Sequence, residues 1–248
     1  MFYFYPPNIS KKEKSSVETP KPIEELYQKY YQNGVLEVEC RLRKNKYEGE
    51  YTEFWNNTKK KRKSFYKNGK LHGVSKSYND SGELLSIDHY ENGVLHGLSQ
   101  EFYSKTGKIT QECNYKNGRL HGKFKQFDEH GNTLLLDNYY EDMKHGFSME
   151  FYTNGRLRSV IEYENGFRHK VAKEYFPNGM LQCSCTYVND FLSGPYKVYG
   201  KNGFLFYEIN YVNGKEHGKG YDYNEKGECI AEKLFQNGVL ESSSPQST

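Results

Sequence analysis

Aliphatic residues are scarce. Apolar residues make up 35% of the 248-residue chain, below the roughly 45–50% of a compact globule, so a thick aliphatic core is excluded. No apolar run reaches the ~18 residues of a membrane-spanning helix. Charge of one sign is not in excess. The net charge of +3 gives no indication of general nucleic-acid binding. The five cysteines, Cys40, Cys113, Cys183, Cys185 and Cys229, are odd in number and lack framework spacing. That points to reduced thiols in a cytosol-like compartment. The opening "MFYFYPPNISKKEK" places aromatics before basic residues, the wrong order for a secretory signal. Gly-x-Ser-x-Gly, phosphate-cradling Gly-rich loops and His-Glu-x-x-His are all missing, so the familiar catalytic signatures are not there.

What is abundant is aromatic: 24 Tyr and 15 Phe. Disordered chains are poor in aromatics, so this composition fits a thin structure whose side chains pack along a surface. The aromatics recur in order. "YKNGKLHG" (66–73), "YENGVLHG" (90–97) and "YKNGRLHG" (115–122) are followed by degenerate copies near Tyr139, Tyr163, Tyr187 and Tyr211. The closing Gly returns at Gly49, Gly73, Gly97, Gly122, Gly146, Gly194 and Gly218, with Lys170 in the missing slot. The step is 24 residues, with one step of 25.

Such a period means stacked supersecondary units. Each unit has two turn signals, the Asn-Gly behind the opening aromatic and a second Gly half a unit later. Asn-Gly between apolar-containing runs is the strongest short hairpin signal. Between turns, Leu157, Ser159, Ile161 and Tyr163 alternate with Arg158, Val160 and Glu162, the period of a strand. The expected fold is therefore all-β: an elongated single-layer antiparallel sheet of tandem ~24-residue β-hairpins. Sixteen to eighteen strands at ~4.8 Å would extend roughly 75–85 Å. Residues 1–22 read as a flexible arm, 23–241 as the repeat array, and 242–248 as a disordered tail. Ile23–Tyr30 also fits a short amphipathic helix, but Tyr30 is in repeat register and favours a strand. The 25-residue step maps to a hairpin loop, "YSKTG" against "NDSG".

The pattern Y-x-N-G-x-L-H-G followed by Y-x-x-x-G-x-L resembles the MORN repeat, and more closely its variant form. That variant is known from the YwqK-type bacterial antitoxin family and from large DNA viruses of amoebae. The resemblance covers about residues 26–240. It implies a twisted antiparallel sheet used for protein association, and some members are credited with binding anionic lipid. The Gly-x-Gly of the standard pattern survives here only at Gly218-Lys219-Gly220.

Six of the eight histidines (His72, His96, His121, His145, His169, His217) occupy one repeat slot. Equivalent positions lie two strands, roughly 9–10 Å, apart, too far for one ion to span. They are therefore expected to fix a turn. The cysteines are expected as small fillers of a packed face, and no cofactor or metal is expected.

Two candidate sites follow. A single layer cannot cover both faces, so an aromatic ladder of Tyr78, Phe127, Phe151, Tyr175, Tyr199 and Tyr223 is expected to meet a protein partner. The run Lys59, Lys60, Lys61, Arg62 and Lys63 interrupts the repeat, lacks the turn Gly, and is a candidate for an anionic membrane surface. Its alternative is a solvated, irregular hairpin. The expected function is a non-enzymatic interaction scaffold in the cytoplasm, or in the virion if viral. Peripheral membrane binding is the alternative.

Overall fold

A computed structural model describes residues 24–245. The arm expected over 1–22 and residues 246–248 lie outside that range. Among the described residues there are 22 strands in one sheet and no helix. β1 (Glu25–Tyr30) settles the N-terminal ambiguity in favour of a strand. It pairs with β2 (Leu36–Arg43), and β2 with β3 (Lys46–Phe54). β3 pairs with β4 (Lys60–Lys67). The chain continues as an antiparallel meander to β21 (Cys229–Gln236) and β22 (Val239–Pro245). Three two-residue strands, β5 (Lys70–Leu71), β12 (Met143–Lys144) and β17 (Phe191–Leu192), continue into β6 (Gly73–Tyr78), β13 (Gly146–Phe151) and β18 (Gly194–Tyr199). The sheet thus has nineteen rows, one more than the upper expectation, because both end units supply complete strands. β22 also runs four residues past the boundary expected at 241.

The turns are those that the sequence chemistry dictates. Asn92 (φ 52°) and Gly93 (φ 91°) both have positive φ, the type I′ geometry whose twist matches the flanking strands. Glu141-Asp142 and Asn189-Asp190 keep it without glycine. At the opposite end, Gly82 N–H donates to Asn79 O and Asn79 N–H to Glu83 O, each at 3.0 Å. This is a type I turn closed by a left-handed Gly. In the basic segment Thr58 takes φ 69° in place of that Gly, with Thr58 N–H donating to Trp55 O at 2.9 Å. The hairpin expected to be irregular is therefore regular: Phe54 faces Lys60 just as Tyr78 faces Leu84. The extra residue of the long unit sits in the Tyr103–Lys108 loop, as its sequence alignment requires.

Each His-Gly is an interruption of the ladder. Asp88 pairs with Ser99 and Tyr90 with Leu95, so His89 alone faces His96, Gly97 and Leu98. Gly97 has φ 97°, and Lys170 adopts φ 60° in the same slot, a conformation costly for a residue with a Cβ. A carbonyl freed there finds a side chain: Asn138 Nδ2 donates to Phe147 O at 3.1 Å, and His89 Nδ1 lies 2.7 Å from Leu98 O. Successive type I′ turns are also tied together. Gly93 N–H donates to Leu71 O, Gly118 N–H to Leu95 O and Gly214 N–H to Leu192 O, each at 2.8 Å. The hairpin tips therefore stack in one row.

The sheet covers one of its own faces. Cys40, Ser64, Ser75, Ser99, Cys113, Asp137, Ser148, Ala172, Cys185 and Ile209 are all buried. Register places them in one central spine, with Ser99 opposite Cys113, Ala172 opposite Cys185, and Phe124 between Cys113 and Asp137. Two residues along each alternate strand stands the opening aromatic. Its ring leans over the spine: Tyr47, Tyr51 and Tyr66 lie 5.2–5.4 Å apart, and Phe124 lies 5.8 Å from Tyr139. Small spine residues make room for the rings, which is why Ser and Cys occur where a two-layer protein would place Val or Leu. Burial pushes the Tyr115 and Tyr187 hydroxyls up to about 12.

Candidate interaction surfaces

The six ladder residues occupy equivalent places. Tyr78, Phe127, Phe151, Tyr175, Tyr199 and Tyr223 each close the second strand of a unit, opposite a bulge. All six are half-buried. Neighbouring units hold this row by hydrogen bonds: Trp55 Nε1 donates to Tyr78 O (3.1 Å), Tyr103 Oη to Phe127 O (3.2 Å) and Tyr152 Oη to Tyr175 O (2.7 Å). The Tyr223 hydroxyl donates to Glu208 at 2.8 Å. Burial, reinforced by that carboxylate, pushes it up to about 12. The row thus offers ring edges and has a packing role of its own.

The basic run is spread along a strand and its loop. Lys59 Nζ donates to Ser81 O at 2.8 Å. Lys61 pairs with Glu53 at 2.6 Å and sits 5.0 Å from the Trp55 ring. Lys63 pairs with Glu50 at 2.9 Å, while Lys60 and Arg62 are exposed. The two candidate sites meet at one point. Lys63 and Tyr78, with Glu50, Phe65 and Val74, line a hollow of about 420 Å³ on the outer face. Phe65 and Val74 are 45% and 41% exposed there.

The repeat histidines do not converge. His121 lies 5.1 Å from Tyr140, whose ring is 6.3 Å from His145, so an aromatic separates the two imidazoles. His96 and His169 instead approach the Glu five residues before them, at 3.6 and 3.4 Å. Among the described residues, no three His, Cys, Asp or Glu side chains form a metal-holding group.

A surface that sequence reasoning missed lies at the type I′ tips. The residues flanking each turn pair across it on the outer face. In earlier units they include basic pairs: Arg43/Lys46, Lys67/Lys70 and Lys116/Arg119. From β11 (Thr133–Tyr140) onward they become Tyr140/Met143, Glu164/Phe167, Val188/Phe191, Val212/Lys215 and Gln236/Val239. Tyr140, Met143, Phe167, Val188, Phe191, Val212 and Val239 are all exposed. The row is continuous, because each second flank packs over the next turn. Met143 Cβ lies 3.8 Å from the Cβ position of Gly166, and Phe191 Cδ1 lies 3.2 Å from that of Gly214. The signal was present in the repeat alignment, as a slot that changes from Lys to Tyr, Phe and Val.

These features define a class: a tandem β-hairpin repeat protein built as a single open sheet. The family model described as "MORN repeat variant" matches residues 71–92, 95–117 and 168–189. The matched segments fall within three stretches of the array, and the remaining units repeat the same turn and bulge geometry. The crystal structures of TcdB2-TccC3-Cdc42 and TcdB2-TccC3 align with 86% and 87% of the chain at 10% identity. Their TM-scores are 0.23 and 0.21, and the alignments cover 14% and 15% of those chains. Likeness that loose carries no argument about fold or function. No curated protein matches the sequence. Among the described residues, no helix is long and apolar enough to cross a membrane.

Proposed function

We propose that the chain is a non-enzymatic scaffold that binds another protein on the outer face of its sheet. The observation that carries this reading is the hollow beside Phe65 and Val74. There exposed apolar side chains, a ladder ring (Tyr78) and a charged rim (Glu50, Lys63) meet on an uncovered layer. Apolar patches rimmed by polar groups mark interaction sites. Two finer roles fit equally well, an immunity protein of the YwqK type and a structural component of a large-virus particle.

The test is affinity capture with the intact chain and with a Phe65→Asp/Tyr78→Asp variant. A partner recovered by the first and lost from the second supports the reading. A partner set unchanged by the substitutions contradicts it. The second reading is peripheral attachment to anionic membrane, favoured by the exposed Lys60 and Arg62 beside Lys59. Vesicle binding unaffected by neutralising Lys59–Lys63 would remove it.

A further inference from the structure

We infer that the apolar tip ridge, from Tyr140 to Val239, is the contact between two copies of this chain, paired antiparallel about a two-fold axis at Val188/Phe191. This deepens the scaffold reading by naming one partner, the chain itself.

The ridge is long, narrow and periodic, with an apolar step every two strands, roughly 9–10 Å. A partner that fits it throughout must carry the same step, and a second copy does so by construction. An isologous contact further requires that the surface complement itself when reversed. Placing the axis at Val188/Phe191 brings the Glu164/Phe167 tip opposite the Val212/Lys215 tip of the partner. The Tyr140/Met143 tip then meets the Gln236/Val239 tip. Apolar flanks meet apolar ones except that Met143 faces the uncharged Gln236, and the ridge's two formal charges at flank positions, Glu164 and Lys215, fall opposite each other. Any other axis along the ridge leaves one of them facing an apolar flank, which costs desolvation without a partner.

The earlier half of the edge argues for the same register. Lys67, Lys70, Lys116 and Arg119 occupy the equivalent flanks, and two copies overlapped there would set like charges together. Self-pairing is thereby confined to the later half. Sheet twist makes the two edges cross, so contact is densest at the axis. Phe191, 59% exposed at that point, becomes the anchor.

The experiment uses the purified full-length chain in sedimentation equilibrium across the micromolar range. The expected result is a two-chain species that Phe191→Asp weakens by about tenfold or more in Kd. Glu164→Lys is expected to weaken it, and Glu164→Lys/Lys215→Glu together to restore most of the loss, because both pairs are rebuilt with reversed sign. These positions are exposed, so far-UV circular dichroism should match the unsubstituted chain, and melting should match it at concentrations low enough to keep both as single chains. If Phe191→Asp does not fold, the charge-reversal set alone decides. A single-chain mass throughout, an assembly indifferent to Phe191→Asp, or a double variant no tighter than Glu164→Lys each overturns the inference. Capture of a different protein at the Phe65–Tyr78 hollow is scored separately, so a monomeric chain removes the ridge pairing without deciding the scaffold reading.

Discussion

Replacing Ile209 by Ala probes the spine where it is most completely closed. Ile209 is 2% exposed, faces Tyr196 on one side and Gly220 on the other, and lies on β19 (Leu205–Val212). Its Cδ1 is 3.3 Å from where a Cβ on Gly220 would stand. Truncating a fully buried Ile to Ala costs about 2–5 kcal/mol, with the spread set by how far the site can collapse. A single layer is open on one side, so water and the Tyr196 ring can fill the gap. The expected loss is therefore about 2–3 kcal/mol, against about 1 kcal/mol for Ile209→Val. Val239→Ala, at an exposed site, should stay within about 0.5 kcal/mol of the unsubstituted chain. Urea unfolding gives the total. Hydrogen exchange gives the location, because nearest-neighbour coupling confines the damage to β19, β20 (Lys215–Tyr223) and adjoining strands and leaves β2–β3 protected. Gly220→Ala should be less harmful in the Ile209→Ala background than alone, since the added methyl enters the vacated space. A loss under about 1 kcal/mol, or exchange raised evenly along the array, would refute the claim that the spine holds the sheet together.

Three further outcomes follow from the geometry. Lys170→Gly should raise the melting temperature, because Lys170 holds φ 60° in a slot that glycine fills elsewhere; Gly97→Ala should lower it. Tyr152→Phe removes the hydrogen bond to Tyr175 O and should cost about 0.5–1.5 kcal/mol in urea unfolding. Burial raises the hydroxyls of Tyr51, Tyr115, Tyr187, Tyr196 and Tyr207 from 10.0 to about 12. A raised folded-state pKa means stability fully present below the unfolded value and lost as pH rises through the folded one. Ultraviolet titration should therefore show a late-ionising group of tyrosines between about 10 and 12, coincident with loss of the strand signal in circular dichroism.

The fold was legible because its determinants are local and repeated. Asn-Gly calls for positive φ at both turn residues, and Asn92-Gly93 supplies it. Tyr30, in register with Phe54, outweighed the helical spacing of Ile23–Tyr30. Thr58 marks a limit: the missing glycine read as a broken hairpin, yet backbone hydrogen bonding from Trp55 and register with β3 impose the turn on a threonine. The candidate surface was less legible. Alternation shows which residues share a face but not which face is covered, since in one layer the cover comes from the same strands. Tyr78 and its equivalents therefore looked open and are half-buried. The exposed apolar row at Tyr140, Phe167 and Phe191 was hidden in two turn-flanking slots that are charged in the first units at every position but Val94.

Small-angle X-ray scattering of the full chain, with Phe191→Asp to keep it as one copy, tests the central claim most directly. Nineteen rows at ~4.8 Å give a sheet roughly 85 Å long, and a single layer of that length has a radius of gyration of about 25 Å or more. A compact globule of this chain length would give about 18 Å. The extended value is the predicted result; the compact value would contradict a one-layer array.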